Sequence, residues 1–174
     1  FEYSFVNGSC LIHLSRGEKT EYLLVFEDQI SVDPLKDVAF FHSKVCKGKD
    51  ITWLLPKSEG PPGYYLPEVY FGPSSQPVTG QVIMASAERP SAPPSPRTML
   101  AYHAKTANGQ CGLPVFIRLG GHGEQAGVIL LAGIHAYGDT AKSQGLGESL
   151  TREMLPGIMD EALALLQRPP ELNL

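Results

Sequence analysis

The chain has 174 residues, a net charge of −4, 43% hydrophobic residues, 18 glycines and 15 prolines. That is enough apolar material for one ordinary domain or two small barrels, and a charge that does not announce a nucleic-acid binder. Three cysteines without CxxC or Cys/His ligand spacing argue against a zinc site or a disulfide framework, and no leader, lipidation signal or long apolar span is visible.

Abundant turn residues and few helix-forming stretches predict an all-β chain of short strands. Ser9–Arg16 reads as a strand, Gly17-Glu-Lys as a turn, and Glu21–Ile30 as the returning strand of a hairpin. Asp37–His42 reads as a third strand, entered through an Asp33-Pro34 turn, and Ile51–Leu55 is a short apolar run. Residues 56–76, rich in Pro, Gly, Ser and Tyr, read as a crossing between two halves. Val78–Ser86 opens the second half. Glu88–Pro96, with four prolines, is expected as a loop or an extended arm. Arg97–Ala104 leads into a tight turn at Cys111. Leu113–Leu119 and Ala126–Ala136 are expected to pair across Gly-Gly-His-Gly-Glu, and Asp139–Ser149 reads as a polar loop. Pro156–Gln167 is the one helix expected, with Ile158, Ala162, Leu165 and Leu166 on a shared face.

Two segments carry chemistry: Thr106-Ala-Asn-Gly-Gln-Cys-Gly-Leu-Pro-Val-Phe116 and Ala132-Gly-Ile-His-Ala-Tyr-Gly138. Gly109 and Gly112 flank Cys111 in the manner of an elbow that exposes a sulfur, whereas a buried core thiol has no need of such a turn. Cys111 is therefore the candidate nucleophile, with the backbone N–H groups of Gly109, Gln110 and Cys111 as a candidate oxyanion hole. Cys10 and Cys46 lack such neighbours. His135 has three readings: a general base, a satisfied core histidine, or a donor that reads a glutamine side chain at the substrate's P1 position. Thr106 and Tyr102 carry hydroxyls suited to the same pocket, Tyr102 fixing the imidazole tautomer. Asp37, an acid entering an apolar strand, suits a residue that orients a catalytic histidine, or is an exposed strand-entry aspartate.

Arg97-Thr-Met-Leu-Ala-Tyr102, Thr106, Gly109-Gln-Cys-Gly112, and Gly133-Ile-His135 with Gly138 together resemble picornain, the chymotrypsin-like cysteine protease of picornaviruses and their relatives. The resemblance runs from about Ser9 to Gly138 and is most specific at the cysteine and the pocket. Gly112-Leu-Pro-Val is also similar to calicivirus and insect- or plant-virus versions, and Leu150-Thr-Arg-Glu-Met-Leu155 to proteases of dicistrovirus-like lineages, so no one virus family is selected.

The resemblance implies a double β-barrel with its site between the barrels, acting in the host cell cytoplasm on a viral polyprotein, after Gln or Glu, without cofactor or metal. It implies an N-terminal barrel over residues 1–60, a connection over 61–77, a second barrel over 78–155, and a helix and tail over 156–174. By position it makes Cys111 the nucleophile, Asp37 the triad acid, Thr106, His135 and Tyr102 the P1 pocket, and Ala136, Tyr137 and Gly138 the edge that pairs with substrate backbone. Lys47-Gly-Lys-Asp-Ile51 stands where picornains carry a basic RNA-binding segment. It lacks the bulky second residue, so it reads as a solvated lysine turn with weak RNA binding at most through Lys47 and Lys49. The chain departs from the family in its base. A catalytic histidine belongs ahead of the first hairpin, and residues 1–12 contain none. The expectation is a chain whose catalytic histidine lies upstream of Phe1 and whose first barrel is short of strands, with His13 second in line as base. A catalytically inactive RNA- or protein-binding module on a protease fold is the rival reading.

Overall fold

The structure, a computed structural model, describes residues 8–16, 18–33, 38–41, 50–72, 76–89, 92–119 and 127–156. These fall into two compact units, the second holding Asp50–Met154. Asp37, Lys47, Lys49 and the expected helix beyond Pro156 lie outside the described residues. No described helix is long and apolar enough to cross a membrane.

The first unit contains two antiparallel hairpins. β1 (Ser9–Arg16) pairs with β2 (Lys19–Phe26), and His13 stands opposite Tyr22. Alternation sends Cys10, Leu23 and Val25 to a buried face, while Leu11, Tyr22, Leu24 and Phe26 stay exposed. The returning strand is shorter than the expected Glu21–Ile30. The side chain of Gln29 accepts from the Phe26 N–H at 3.0 Å, which ends β2 in a 3-10 turn over Glu27–Gln29. β3 (Ile30–Asp33) then pairs with β4 (Val38–Phe41). Among the described residues this unit shows two two-stranded sheets and no closed barrel.

The second unit is a closed antiparallel barrel of six strands in the order β10-β7-β6-β5-β8-β9. The short apolar run at Ile51–Leu55 holds a 3-10 turn over Thr52–Leu54. β5 (Tyr65–Phe71) lies within the stretch expected to be a crossing, so the barrel begins well before Val78. Leu66, Val69 and Phe71 point into the core, and the pairing of β5 with β6 slips between Leu66 and Val69. Pro67, which has no N–H to give the ladder, sits within that slip.

β6 (Val78–Arg89) and β7 (Ala92–Tyr102) form a long ribbon in which Ser86 stands opposite Pro96, Ala87 opposite Ser95 and Arg89 opposite Ala92, so the described part of the expected loop or arm is extended strand. β8 (Pro114–Arg118) and β9 (Ile129–Asp139) pair as expected. The expected polar loop at 139–149 is instead a tight hairpin into β10 (Gln144–Ser149), which closes the barrel between β9 and β7. Leu66, Val69, Phe71, Val82, Leu100, Tyr102, Val115, Ile117 and Ala132 make one core, from which Tyr102 reaches toward the segments that carry the candidate chemistry.

On the outer side of β7 and β10, Arg97 Nη1 lies 3.0 Å from Oε1 of Glu148, a carboxylate with 0% exposure. That pair ties the two strands together. Where the chain enters and leaves the barrel, Arg152 N–H donates to Pro56 O at 2.8 Å, Arg152 Nε donates to Leu55 O at 3.0 Å, and the Ser149 hydroxyl lies 2.5 Å from Glu59 Oε1.

Candidate active site

β7 ends at Tyr102, and the chain crosses to β8 through the cysteine elbow. The loop is anchored at its start by His103 N–H donating to Thr79 O at 3.0 Å. Gln110 shapes the turn with both its backbone and its side chain. Its N–H donates to Ala107 O at 3.3 Å, and its Oε1 accepts from the Ala107 N–H at 2.7 Å. The side chain, expected to be secondary, thus closes the loop on itself. Gly109 and Gly112 adopt φ of +87° and +88°, a region that side-chain-bearing residues avoid. The elbow is then stitched to β9: Gly112 N–H donates to His135 O, and His135 N–H to Leu113 O, each at 2.8 Å.

This geometry leaves Cys111 exposed, with its thiol donating to the Ala136 carbonyl at 3.3 Å. Of the three amides expected to face an oxyanion, the Gln110 N–H is engaged by the turn. Those of Gly109 and Cys111 make no hydrogen bond among the described residues. Cys10, by contrast, is buried in the first unit.

Behind the cysteine the structure brings together four residues singled out from the sequence. His135 is 3% exposed and Tyr102 1% exposed, and the Tyr102 hydroxyl lies 2.5 Å from His135 Nδ1. Phe71, from the strand that sequence reasoning missed, packs on the imidazole with ring centroids 4.7 Å apart, and on Tyr102 at 5.4 Å. Burial lowers the His135 pKa from its ordinary value and so favours the neutral ring. Burial, and secondarily the charge that Cys111 would carry as thiolate, raises the Tyr102 pKa and keeps the phenol protonated. Thr106 is buried against Gly138, where a Cβ would collide with the threonine hydroxyl. Gly145 on β10 meets the Tyr102 ring in the same way.

The imidazole and the thiol are not hydrogen-bonded to each other. The His135 Nδ1 faces Tyr102, and the thiol faces Ala136. The edge of β9 offers a further surface. β10 pairs with it as far as Asp139, whereas β8 stops opposite Ile134. Ala136, Tyr137 and Gly138 are therefore covered on one side only by the described strands. Tyr137 is half-exposed there, with the Arg97 guanidinium 5.8 Å from its ring centroid.

No protein-family model and no curated protein matches this chain.

Proposed function

We propose that the chain is a chymotrypsin-like cysteine endopeptidase of the picornain type, cleaving a viral polyprotein after Gln or Glu in the cytoplasm of a host cell. One observation carries the reading: an exposed thiol on a two-glycine elbow, beside two unengaged amides and backed by the buried Tyr102–His135–Thr106 cluster. In this reading β1 to β4 belong to a first barrel, and the six-stranded barrel is the second.

The chemistry follows from those parts. The Cys111 thiolate attacks the carbonyl carbon after P1, and the carbonyl π electrons move onto oxygen. The Gly109 and Cys111 N–H groups face that oxyanion. Collapse expels the amine, protonated by the catalytic histidine, and leaves a thioester. Water hydrolyses the thioester and restores the thiol. A catalytic histidine supplies the base, and Asp37 orients it.

The pocket reads P1 through a fixed tautomer. Tyr102, held protonated, donates to His135 Nδ1, so the ring proton sits on Nε2 and can donate to the side-chain oxygen of a glutamine. The β9 edge at Ala136–Gly138 takes the substrate backbone as an added strand.

Mass spectrometry after treatment with a glutaminyl Michael acceptor tests the assignment. Cys111 is expected to be alkylated far faster than Cys10 or Cys46. Equal labelling of all three would turn the reading toward a non-catalytic binding module. Cleavage of a Gln-containing peptide by an N-terminally extended chain, abolished by Cys111→Ala, would establish the activity.

A further inference from the structure

β9 turns its side chains where it leaves its pairing with β8. His135 stands opposite Gly147 on β10 and Tyr137 opposite Leu146, so Ala136 is an extra residue in that ladder. Without the bulge, His135 and Tyr137, two positions apart, would share a face. With it they part: the imidazole is 3% exposed, whereas Tyr137 is 45% exposed. Bulges beside active sites re-aim side chains in this way.

Tyr137 is also supported from behind. The Arg97 guanidinium lies 5.8 Å from its ring centroid, and Arg97 Nη1 lies 3.0 Å from Oε1 of the buried Glu148 carboxylate. Arg97 therefore meets the ring with its charge already matched. The wall that results is broad, largely apolar and without net charge.

The sulfur sets the register of a substrate strand on this edge. Cys111 Sγ lies 3.3 Å from the Ala136 carbonyl oxygen, so P1, whose carbonyl meets the sulfur, stands beside Ala136. Toward Ile134 the edge is taken by β8, at Pro114. The acyl half of the substrate, which the edge holds, then extends from Ala136 toward Gly138, antiparallel to β9. P2 falls opposite Tyr137 and P3 opposite Gly138. Residues directly opposite each other in an antiparallel pair share a face. The P1 side chain turns toward His135, and the P2 side chain turns toward Tyr137.

We infer, on the basis of the protease reading, that Tyr137 selects the P2 residue and favours a β-branched or aromatic apolar side chain there. Cross-strand pairs of an aromatic ring with such residues are the favourable ones. A charged P2 gains nothing, since Glu148 already holds the Arg97 charge. Arg97 acts through Tyr137, as a positioning residue.

The test is the rate at which peptidyl Michael acceptors alkylate Cys111 in the 174-residue chain, read by peptide mapping. P1 is Gln throughout, and P2 is Val, Gly or Asp. Val is expected to react about fivefold faster than Gly, and Asp no faster than Gly. Tyr137→Ala should erase the preference for Val, and Tyr137→Phe should keep it. Iodoacetamide, which has no P2 group, should label Cys111 at one rate in all these chains, which separates lost recognition from lost folding or thiol reactivity. In a folded double variant, Arg97→Met with Glu148→Leu, the preference should weaken. Equal rates for Val and Gly, or a Val preference that survives Tyr137→Ala, overturn the inference. Faster reaction with Asp overturns the apolar class, and a full preference in the double variant overturns the role of Arg97. A matching series with Ala at P1 keeps the two readings distinct. Preference for P1 Gln with indifference to P2 overturns this inference alone, whereas indifference to P1 overturns the protease reading and this inference with it.

Discussion

At the scale of single residues, the Tyr102–His135 hydrogen bond is the contact that most directly couples packing to chemistry. Tyr102→Phe keeps the ring stacked near Phe71 but removes the proton that fixes the imidazole tautomer. The expected outcome is a loss of about 1 kcal/mol in stability, read by urea denaturation. If the protease reading holds, kcat/KM for Gln peptides should fall about tenfold, with little change for Leu peptides. His135 also sets a pH dependence. Its folded pKa is depressed by burial, so the unfolded chain takes up a proton first as pH falls below about 6.5. More protons bound in the unfolded state means that stability falls as pH drops from about 6.5 toward the folded value, and levels off below it. Denaturation midpoints at a series of pH values from neutral downward should show that slope, and His135→Leu should flatten it. An identical slope in the variant would place the titration elsewhere.

Among the elements, β10 shows how a strand can be built from residues that do not look like one. Its sequence, Gln-Gly-Leu-Gly-Glu-Ser, lacks an apolar alternation because Gly145 gives room to the Tyr102 ring and Gly147 lies against the Ile134 carbonyl. Read locally, it is a loop. β5 was hidden for another reason: the slip at Pro67 moves the inward positions from Leu66 to Val69 and Phe71, breaking the two-residue period. By contrast, β1 and the run of β7 into Tyr102 were legible, since each is rich in strand-forming residues. The site divides along the same line. Cys111, His135, Tyr102, Thr106 and Gly138 stand in two short segments with strong local signatures. Phe71 and the Arg97–Glu148 pair contribute only through contacts between distant strands. That ion pair supports a prediction of its own. Glu148→Ala leaves the Arg97 charge uncompensated and should cost about 3–5 kcal/mol. The double change Arg97→Met with Glu148→Leu should recover most of it in thermal melts, and failure to recover would mean the pair specifies more than its own charges. Gly138→Ala drives a methyl group into Thr106, and is expected to cost at least about 2 kcal/mol or to shift the β9 edge; amide exchange along Ala136–Asp139 would register either result.

For the molecule as a whole, the two units differ in what they can hold together unaided. The barrel closes on itself, with β9 unpaired on one side only at Ala136–Gly138 among the described strands, and it carries a continuous core. Among the described side chains the hairpin β1–β2 buries Cys10, Leu23 and Val25 on one face, and an isolated two-stranded hairpin is marginal in water. Limited proteolysis should therefore strip residues from the N-terminal side first and leave a resistant fragment close to Asp50–Met154, identified by its mass. Early cuts inside the barrel would contradict this. The bonds from Arg152 to Leu55 and Pro56, and from Ser149 to Glu59, have one more consequence. They staple the barrel's way in beside its way out. A chain that enters and leaves a domain at neighbouring points can carry that domain as an insert, spliced into a longer protein as if it were a surface loop. The host on either side needs to bridge only a narrow gap, and the barrel can fold in place as a self-contained cassette.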